Sequence, residues 1–382
     1  MLKVENQRPA WHLQEFDKAL ITATYFGFTP IIAPKITKAD FEAVSYCTTH
    51  PHYDAAEKAA VIRTYLQKNW TSLPHPLSIV YKRKKPLSYS LHLIGSSTGI
   101  AEAMLIRTAL SILAEEGYKN LRVDLNCVGD RESLSLYERE LINFVKKFGG
   151  NLSEESRKAL KEDIFNLFRL EQEEAVTLRA GAPSAITYLS AQARSYFKEV
   201  LEFIEALGIE FTLAPELVGE KNHCSHTIFA IKSLPERQEG AEELVATGYR
   251  YSRLGRRLGM KKEVPMAAAS IFVGQKSGQS RIYKKLSEPK FYLVQLGREA
   301  KIKTLSLIEE LRRERIMVLH FLGKDKLAAQ FASAESLRIS YLIIIGQKEA
   351  LDGTATVRNV STRAQETIPM EMLPQFLKHI SL

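Results

Sequence analysis

The sequence has few cysteines and no long apolar run, and both shortages limit the kind of protein it encodes. Its 382 residues include only three cysteines, Cys47, Cys127 and Cys224, which lie far apart. An odd number of dispersed thiols favours a reducing compartment and argues against a disulfide framework. No apolar run approaches the roughly 20 residues that a membrane helix requires, and the N-terminus lacks the basic-then-apolar layout of an export signal. We therefore expect a cytoplasmic protein without membrane contact.

The short motifs that indicate a cofactor or a metal are also missing. The glycine-rich segment GSSTG at 95–99 is too short for a phosphate-binding loop and has no lysine. Zinc at His223, Cys224 and His226 is unfavourable, because three ligands within four extended residues cannot converge on one ion. Cys224 also has no local activating context that would make it a nucleophile. We therefore expect no metal and no cofactor.

What the sequence does contain is a surplus of positive charge. Its 53 lysines and arginines outnumber 44 acidic residues, which gives a formal net charge of +9 and a pI near 9.2. This excess favours a polyanionic partner such as a nucleic acid, although an ordinary basic soluble protein would show it too. Four consecutive basic residues are predicted at a hairpin tip: Lys82, Arg83, Lys84 and Lys85. There they either bind phosphate or form a solvated turn.

The apolar pattern changes near Pro289, and this change predicts two domains. Before it, amphipathic helices such as 98–116 and 191–207 are mixed with strands such as 77–81 and 266–273. After it, short apolar strands alternate with helices, which indicates a mostly parallel sheet with helices on both faces. We therefore predict a first domain at 1–285 and an α/β domain at 286–382.

Titratable residues are concentrated in one stretch of the first domain, PELVGEKNHCSHTIF at 215–229. Its flanks favour β structure, and side chains on an extended segment alternate between two faces. His223 and Ser225 are therefore predicted on one face, with Cys224 and His226 on the other. A polar cluster inside an otherwise apolar strand predicts a pocket.

Several segments, in this order along the chain, resemble histidyl-tRNA synthetases, which are class II aminoacyl-tRNA synthetases. GFTPIIAPK at 27–35 resembles motif 1, with Pro34 as its proline, and LRVDLNCVGDRES at 121–133 resembles the family's INSLG strand and helix. YLIIIGQKE at 341–349 resembles part of the anticodon-binding domain. The resemblance implies an α+β class II synthetase-like catalytic domain, an antiparallel sheet with helices, followed by an α/β anticodon-binding-like domain. It also implies a homodimer with motif 1 and Pro34 at the interface.

The same resemblance implies that the substrate-binding residues are replaced. The arginine expected on the reacting phosphate is Gly219, and the Asp-Tyr-Tyr that recognises histidine is Asn222, His223 and Cys224. In motif 3, Gly274 and Gln275 stand where the family has Glu-Arg. In motif 2, Lys82 and Lys84 replace an arginine and a glutamate. The family segment RPEGT, which supplies a substrate-binding glutamate, corresponds roughly to residues 54–58. A lysine cannot make the paired hydrogen bonds that an arginine makes at a bidentate site. Removing one hydrogen-bond donor to the oxyanion of a transition state lowers kcat by about 10²–10³.

We therefore expect a catalytically degenerate member of this family that is no longer an enzyme. It would bind tRNA or another structured RNA, or act as a regulatory or accessory subunit with a protein partner. Two alternatives stay open: an active but divergent histidine–tRNA ligase that uses ATP and magnesium, and an allosteric subunit of a metabolic enzyme. The predicted RNA contacts are Lys82, Arg83, Lys84, Lys85, Arg253, Arg256, Arg257, Gln330 and Arg358.

Overall fold

The structure is a computed structural model that describes residues 16–45, 47, 54–73, 75–84, 86–235, 241–274, 289–323 and 326–380. Within these residues, the strands form two separate sheets. The predicted boundary between domains, at 285/286, lies outside the described residues and stays a prediction. The described residues contain no helix with the length and apolar composition needed to cross a bilayer.

The first sheet has eight strands and is largely antiparallel. Its order is β1-β2-β3-β8-β7-β6-β4-β5, with parallel pairing at β1·β2 and β4·β5. The strands are β1 (Thr29–Pro30), β2 (Leu77–Lys84), β3 (Leu87–Ile94), β4 (Leu121–Cys127), β5 (Phe211–Leu213), β6 (Ser225–Ser233), β7 (Glu243–Arg250) and β8 (Met266–Phe272). The accompanying helices are α1 (Lys18–Tyr25), α2 (Lys38–Ala43), α3 (Ala55–Gln67), α4 (Ile100–Glu115), α5 (Arg131–Phe148), α6 (Glu154–Glu162), α7 (Glu173–Ala180), α8 (Ala191–Ala206) and α9 (Ser252–Arg257).

Helices cover both faces of this sheet, and the alternation of side chains along β3 shows how the faces differ. Leu91 and Leu93 point into an apolar cluster with α1, α4 and α8. Ser90 and His92, which alternate with these two leucines along the strand, are also buried. They point to the opposite face, where α3, α5 and α9 pack. We call these the α4 face and the α3 face.

The second sheet has five strands in the order β10-β9-β11-β12-β13. Its elements are β9 (Phe291–Gln295), α10 (Arg298–Arg313), β10 (Val318–His320), α11 (Leu327–Ser336), β11 (Tyr341–Ile345), α12 (Gln347–Asp352), β12 (Thr354–Asn359), β13 (Gln365–Pro369) and α13 (Leu373–His379). Strands β9, β10 and β11 are parallel, whereas β12 and β13 are antiparallel. The prediction of a mostly parallel sheet is therefore wrong.

The error comes from a hairpin that the apolar pattern does not reveal. Strand β13 has one buried position among five, so it shows no alternation. The hairpin is set by its turn, where the Asn359 side chain accepts hydrogen bonds from the backbone N–H groups of Ser361 and Thr362, both at 3.0 Å.

Candidate functional site

The stretch that follows Val218 is a buried turn, not the extended strand that we predicted. Strand β6 begins only at Ser225. Before it, the Glu220 carboxylate accepts hydrogen bonds from the backbone N–H groups of Asn222 (2.9 Å) and His223 (3.2 Å). Glu220, His223 and Cys224 all have 0% exposure. Because the turn does not alternate, the predicted two-face arrangement is wrong.

Glu220 and His223 form a hydrogen-bonded pair inside this turn. The distance from His223 Nδ1 to Glu220 Oε2 is 2.7 Å, and Asn222 Nδ2 donates to Glu220 Oε1 at 2.8 Å. Burial alone would raise the pKa of Glu220, but the hydrogen bonds from His223 and Asn222 and the charge of His223 outweigh it and lower that pKa. Glu220 therefore remains a carboxylate at neutral pH.

Cys47 approaches this pair from a distant part of the chain. One donor atom from each of Cys47, Glu220 and His223 lies within 4.8 Å of the other two. His226 is not part of the group: its ring packs on Tyr196, with centroids 5.0 Å apart, and its backbone N–H bonds the Gly129 carbonyl. The sequence contains no local signal that would place Cys47 here.

A second polar group lies on the α3 face of the sheet. Glu57 Oε1 accepts hydrogen bonds from Tyr81 Oη (2.9 Å) and Ser90 Oγ (2.6 Å), and Glu57 Oε2 accepts one from Lys58 Nζ (3.0 Å). His92 lies between two tyrosines, with Nε2 at 2.9 Å from Tyr81 Oη and Nδ1 at 2.8 Å from Tyr251 Oη. These polar side chains are buried and satisfy one another.

The charges in this group are fixed by burial and by close neighbours. Burial would raise the pKa of Glu57, but the positive charge of Lys58 and then other groups lower it to about 2. Burial, helped by the charge of Lys58, lowers the pKa of His92 to about 3. His92 is therefore neutral at pH 7. One consistent assignment has it accept from Tyr251 and donate to Tyr81.

Tyr249 connects the two groups into one buried layer. Its ring centroid lies 5.3 Å from that of His223 and 5.7 Å from Lys58 Nζ. The segment matched to RPEGT and the segment matched to the histidine-recognition strand thus meet at Tyr249.

The motif 2 residues divide between the two faces of β2. Lys82 points to the α4 face, where Nζ lies 2.7 Å from Asp17, the residue that caps α1. Arg83 points to the α3 face, with Nη1 at 3.2 Å from Asp54 and 3.4 Å from Glu57. Both residues lie within the strand and not at the hairpin tip, which corrects that part of the prediction. Exposed Lys84 ends the strand, while Lys85 and Gln275 lie outside the described residues.

The remaining predicted contacts differ in exposure. Arg256 and Arg257 of α9 are exposed, whereas Arg253 and Arg358 are half-buried. Gln330 has 0% exposure, and its side chain donates to the Gln295 carbonyl at 2.8 Å and accepts from the Gln295 N–H at 3.0 Å. Gln330 therefore anchors α11 to β9 and offers RNA no surface in this conformation, contrary to our expectation.

Beside Gly219 lies a cleft of about 250 Å³, lined in part by Val218, Thr247 and Lys232. Arg169 also lines it and donates from Nη2 to the Gly219 carbonyl at 2.6 Å. Gly274, matched to motif 3, lies elsewhere, with its N–H bonded to Tyr118 Oη at 2.9 Å. Gly219 brings no side chain to the cleft, but a guanidinium from another segment reaches it.

Comparisons with known proteins agree with this architecture. Residues 290–380 match the family model of the anticodon binding domain. An apo histidyl-tRNA synthetase from S. aureus has a similar fold, with a TM-score of 0.53 at 20% identity over 98% of this chain and 94% of that one. A mostly antiparallel sheet covered by helices and followed by an anticodon-binding fold defines a class II aminoacyl-tRNA synthetase architecture.

Sequence relatives narrow the class to a family. The histidine–tRNA ligase of Synechococcus elongatus is 30% identical over 297 residues, which is 76% of this chain and 66% of the relative. That of Rippkaea orientalis is 27% identical over 341 residues, or 82% of this chain and 76% of the relative. The chain belongs to the histidyl-tRNA synthetase family. It spans just under two thirds of the Synechococcus elongatus relative.

Proposed function

We propose that this chain is a catalytically degenerate member of its family that binds tRNA or another structured RNA without aminoacylating it. The observation that carries the proposal is the closed polar layer on the α3 face. The Glu57 carboxylate is held by Lys58, Tyr81 and Ser90, and the Glu220 carboxylate by its own turn. Groups that are buried and paired with one another are not available to hold a nucleotide.

The replaced cation sites support the same proposal. A bent triphosphate and its leaving pyrophosphate need fixed positive groups aimed at them. Gly219 supplies no charge, and the ammonium of Lys82 is directed to Asp17 on the opposite face of the sheet. The proposed function therefore requires neither ATP nor magnesium.

RNA binding is supported by the C-terminal match and by charge. Residues 290–380 match a family described as anticodon binding, and the whole chain carries a net charge of +9. Lys84, Arg256 and Arg257 are exposed on the first sheet and its helices. Phosphate neutralisation by such side chains gives binding that weakens as salt rises.

The proposal includes a cytoplasmic homodimer joined through the motif 1 segment. Ile32 in that segment is 78% exposed, next to half-buried Pro34. Such a dimer would cover the exposed Ile32 side chain.

One observation favours a second candidate, an active histidine–tRNA ligase. Arg169 places a guanidinium at Gly219, 2.6 Å from its carbonyl oxygen, and so brings positive charge to the position where the family arginine is absent. The relatives are themselves named histidine–tRNA ligases.

Histidine-dependent exchange of pyrophosphate into ATP separates the two candidates. We expect no exchange above that of a protein-free control, together with salt-dependent binding of tRNA by the full-length protein. Robust histidine-dependent exchange would refute the proposal and establish the ligase. Absence of RNA binding, with co-purification of a metabolic transferase, would instead support an allosteric subunit.

The hairpin contribution to RNA binding has a charge-matched control. Lys84→Glu/Lys85→Glu is expected to weaken RNA binding and to reduce the slope of log affinity against log salt by about 1–2, because each phosphate contact contributes close to one unit. Lys146→Glu/Lys147→Glu makes the same charge change on exposed residues at the end of α5 and should leave the slope nearly unchanged. Equal slopes for the two variants would remove the hairpin from the RNA footprint.

A further inference from the structure

We propose that the buried carboxylate of Glu309 locks the C-terminal domain, which contains the second sheet, against the first domain, so that the two form one rigid body. The lock lies on α10, which packs on both domains. Leu307 and Leu311 belong to the apolar cluster of the second sheet. Leu305 and Ile308 belong instead to the cluster on the α4 face of the first sheet. One helix therefore contributes to two cores, and its second apolar stripe is covered only while the domains are in contact.

Glu309 is the polar centre of this contact and is only 7% exposed. From α4 of the first domain, Arg107 Nη2 lies 3.0 Å from Glu309 Oε1, and Ser111 Oγ donates to Oε2 at 3.3 Å. From α10 itself, Arg312 Nε and Nη2 reach the two oxygens at 2.9 and 3.0 Å. Arg313 Nε adds a bond of 3.1 Å to Oε1. A buried carboxylate that binds guanidinium groups on both sides of a contact fixes the geometry of that contact.

Ion pairs around this centre connect α10 to three helices of the first domain. Arg312 Nη1 lies 3.0 Å from Glu115 Oε1 at the end of α4. Lys18 Nζ of α1 lies 2.6 Å from the other oxygen of Glu115. Arg298 at the start of α10 pairs with Glu202 of α8. These outer pairs are partly exposed and each contributes little, so the buried carboxylate is the position to test.

Two glycines show how closely the domains approach each other. Gly323 follows β10, and a Cβ there would lie 2.8 Å from Pro76 Cγ and 3.3 Å from Ser96 Oγ. Gly27 of the first domain faces the second sheet, and a Cβ there would lie 3.1 Å from Cε1 of His320. The cavity that remains beside Gly323 is about 10 Å³, roughly the room of one water molecule. The contact is therefore closely packed and fits one relative orientation of the domains.

Small-angle X-ray scattering of the full-length protein, coupled to size-exclusion chromatography and light scattering, tests the lock. Glu309→Lys places a further positive charge among Arg107, Arg312 and Arg313. We expect the domains to separate, with a larger radius of gyration at unchanged mass. Glu310→Lys makes the same change on the next residue of α10, which is exposed, and should keep the wild-type radius. An unchanged radius in Glu309→Lys, or an equal increase in Glu310→Lys, would overturn the proposal.

Gly323→Val tests the same contact without a change of charge. Its side chain would press on Pro76, and we expect the radius to increase as in Glu309→Lys. Gly150→Val is the matched control, because nothing lies within 4 Å of a Cβ at that position. Far-UV circular dichroism should stay at the wild-type level, since each domain keeps its own sheet. Loss of that signal in both Glu309→Lys and Gly323→Val would show that the contact maintains folding and not orientation, and would refute the lock.

A fixed orientation also affects RNA binding, and this step rests on the proposed function. Contacts on two domains of one rigid body bind one folded RNA without the cost of ordering a joint. Relative to Glu310→Lys, Glu309→Lys should therefore bind intact tRNA about tenfold more weakly and an isolated anticodon stem-loop equally well. Equal tRNA affinities of the two variants would refute this step. A wild type that binds neither RNA would refute the proposed function, whereas the scattering result, and with it the lock, would stand.

Discussion

The two faces of the large sheet each bury an ion pair, and the pairs are built differently. On the α4 face, Arg250 forms a fork with Glu102, with Nε and Nη2 at 2.7 and 3.1 Å from its two oxygens. The remaining guanidinium donors go to the carbonyls of Ser96 (2.8 Å) and Thr98 (3.0 Å). On the α3 face, Lys58 reaches Glu57 at 3.0 Å and Ser270 at 3.3 Å.

The two ion pairs differ in how firmly their geometry is fixed. Arg250 has a fixed planar geometry, and its bonds tie α4 to β7, so it specifies one arrangement. Glu57 instead accepts from a lysine, a tyrosine and a serine, groups whose hydroxyls and ammonium rotate freely and can exchange partners. The α3 face therefore keeps a buried polar group whose members neutralise one another.

Arg250→Met tests the structural pair and should have the largest effect. It leaves Glu102 buried at 1% exposure without its cation, and breaking a buried pair in this way costs about 3–5 kcal/mol. Urea unfolding measures the loss. Adding Glu102→Gln should recover part of it, because the second change removes the unpaired charge. A loss below about 1 kcal/mol would show that this pair is not structural.

Lys58→Met tests the other face and should cost less, about 2–3 kcal/mol. Glu57 would keep Tyr81 and Ser90 as donors and Arg83 at 3.4 Å as a cation. The same urea titration measures the loss. The double variant Glu57→Gln/Lys58→Met should be no less stable than Lys58→Met. A cost equal to that of Arg250→Met would erase the distinction between the two faces.

His320→Leu removes a buried polar side chain that belongs to neither ion pair, and this change should have the smallest effect. Neither of its ring nitrogens has a hydrogen-bond partner in the described residues, and burial lowers its pKa to about 4. The folded-state pKa is below the unfolded value of about 6.5, so the unfolded chain takes up the proton first as pH falls. The stability from this group is complete above pH 6.5 or so and is lost between about 6.5 and 4.

Unfolding free energies at pH 7 and pH 5 measure this effect. The wild type should lose about 1–2 kcal/mol more than His320→Leu across that interval. His379→Leu removes an exposed histidine and should retain the wild-type pH dependence. If His320→Leu and His379→Leu behave alike, His320 does not contribute to the acid sensitivity.

Regular apolar patterns made much of the fold predictable. The predicted strand at 266–273 is observed as Met266–Phe272, and the predicted helix at 191–207 as Ala191–Ala206. The helix carries its buried residues at helical spacing, and the strand is a short apolar run that is buried at nearly every position, so local sequence determines both. The polar strand β13 has no such period and was missed.

The candidate site was less predictable because its parts interact across the chain or through side-chain capping. The turn at 220–224 depends on a carboxylate that captures backbone N–H groups, which overrides the β preference of its flanks. The motif 2 resemblance put Lys82 in the arginine position, but the alternation of β2 directs its side chain to the α4 face. Cys47 joins Glu220 only through tertiary packing.

Gly219 limits which side chains this turn can accept. Its φ of +64° is a backbone conformation that L side chains rarely adopt, and a Cβ there would lie 2.9 Å from Ile228 and 3.0 Å from the sulfur of Cys224. A Gly219→Arg substitution alone would therefore strain the turn, and its Cβ would press on Ile228 and Cys224. The turn is packed around glycine, so a larger side chain at this position needs accompanying changes at those two neighbours.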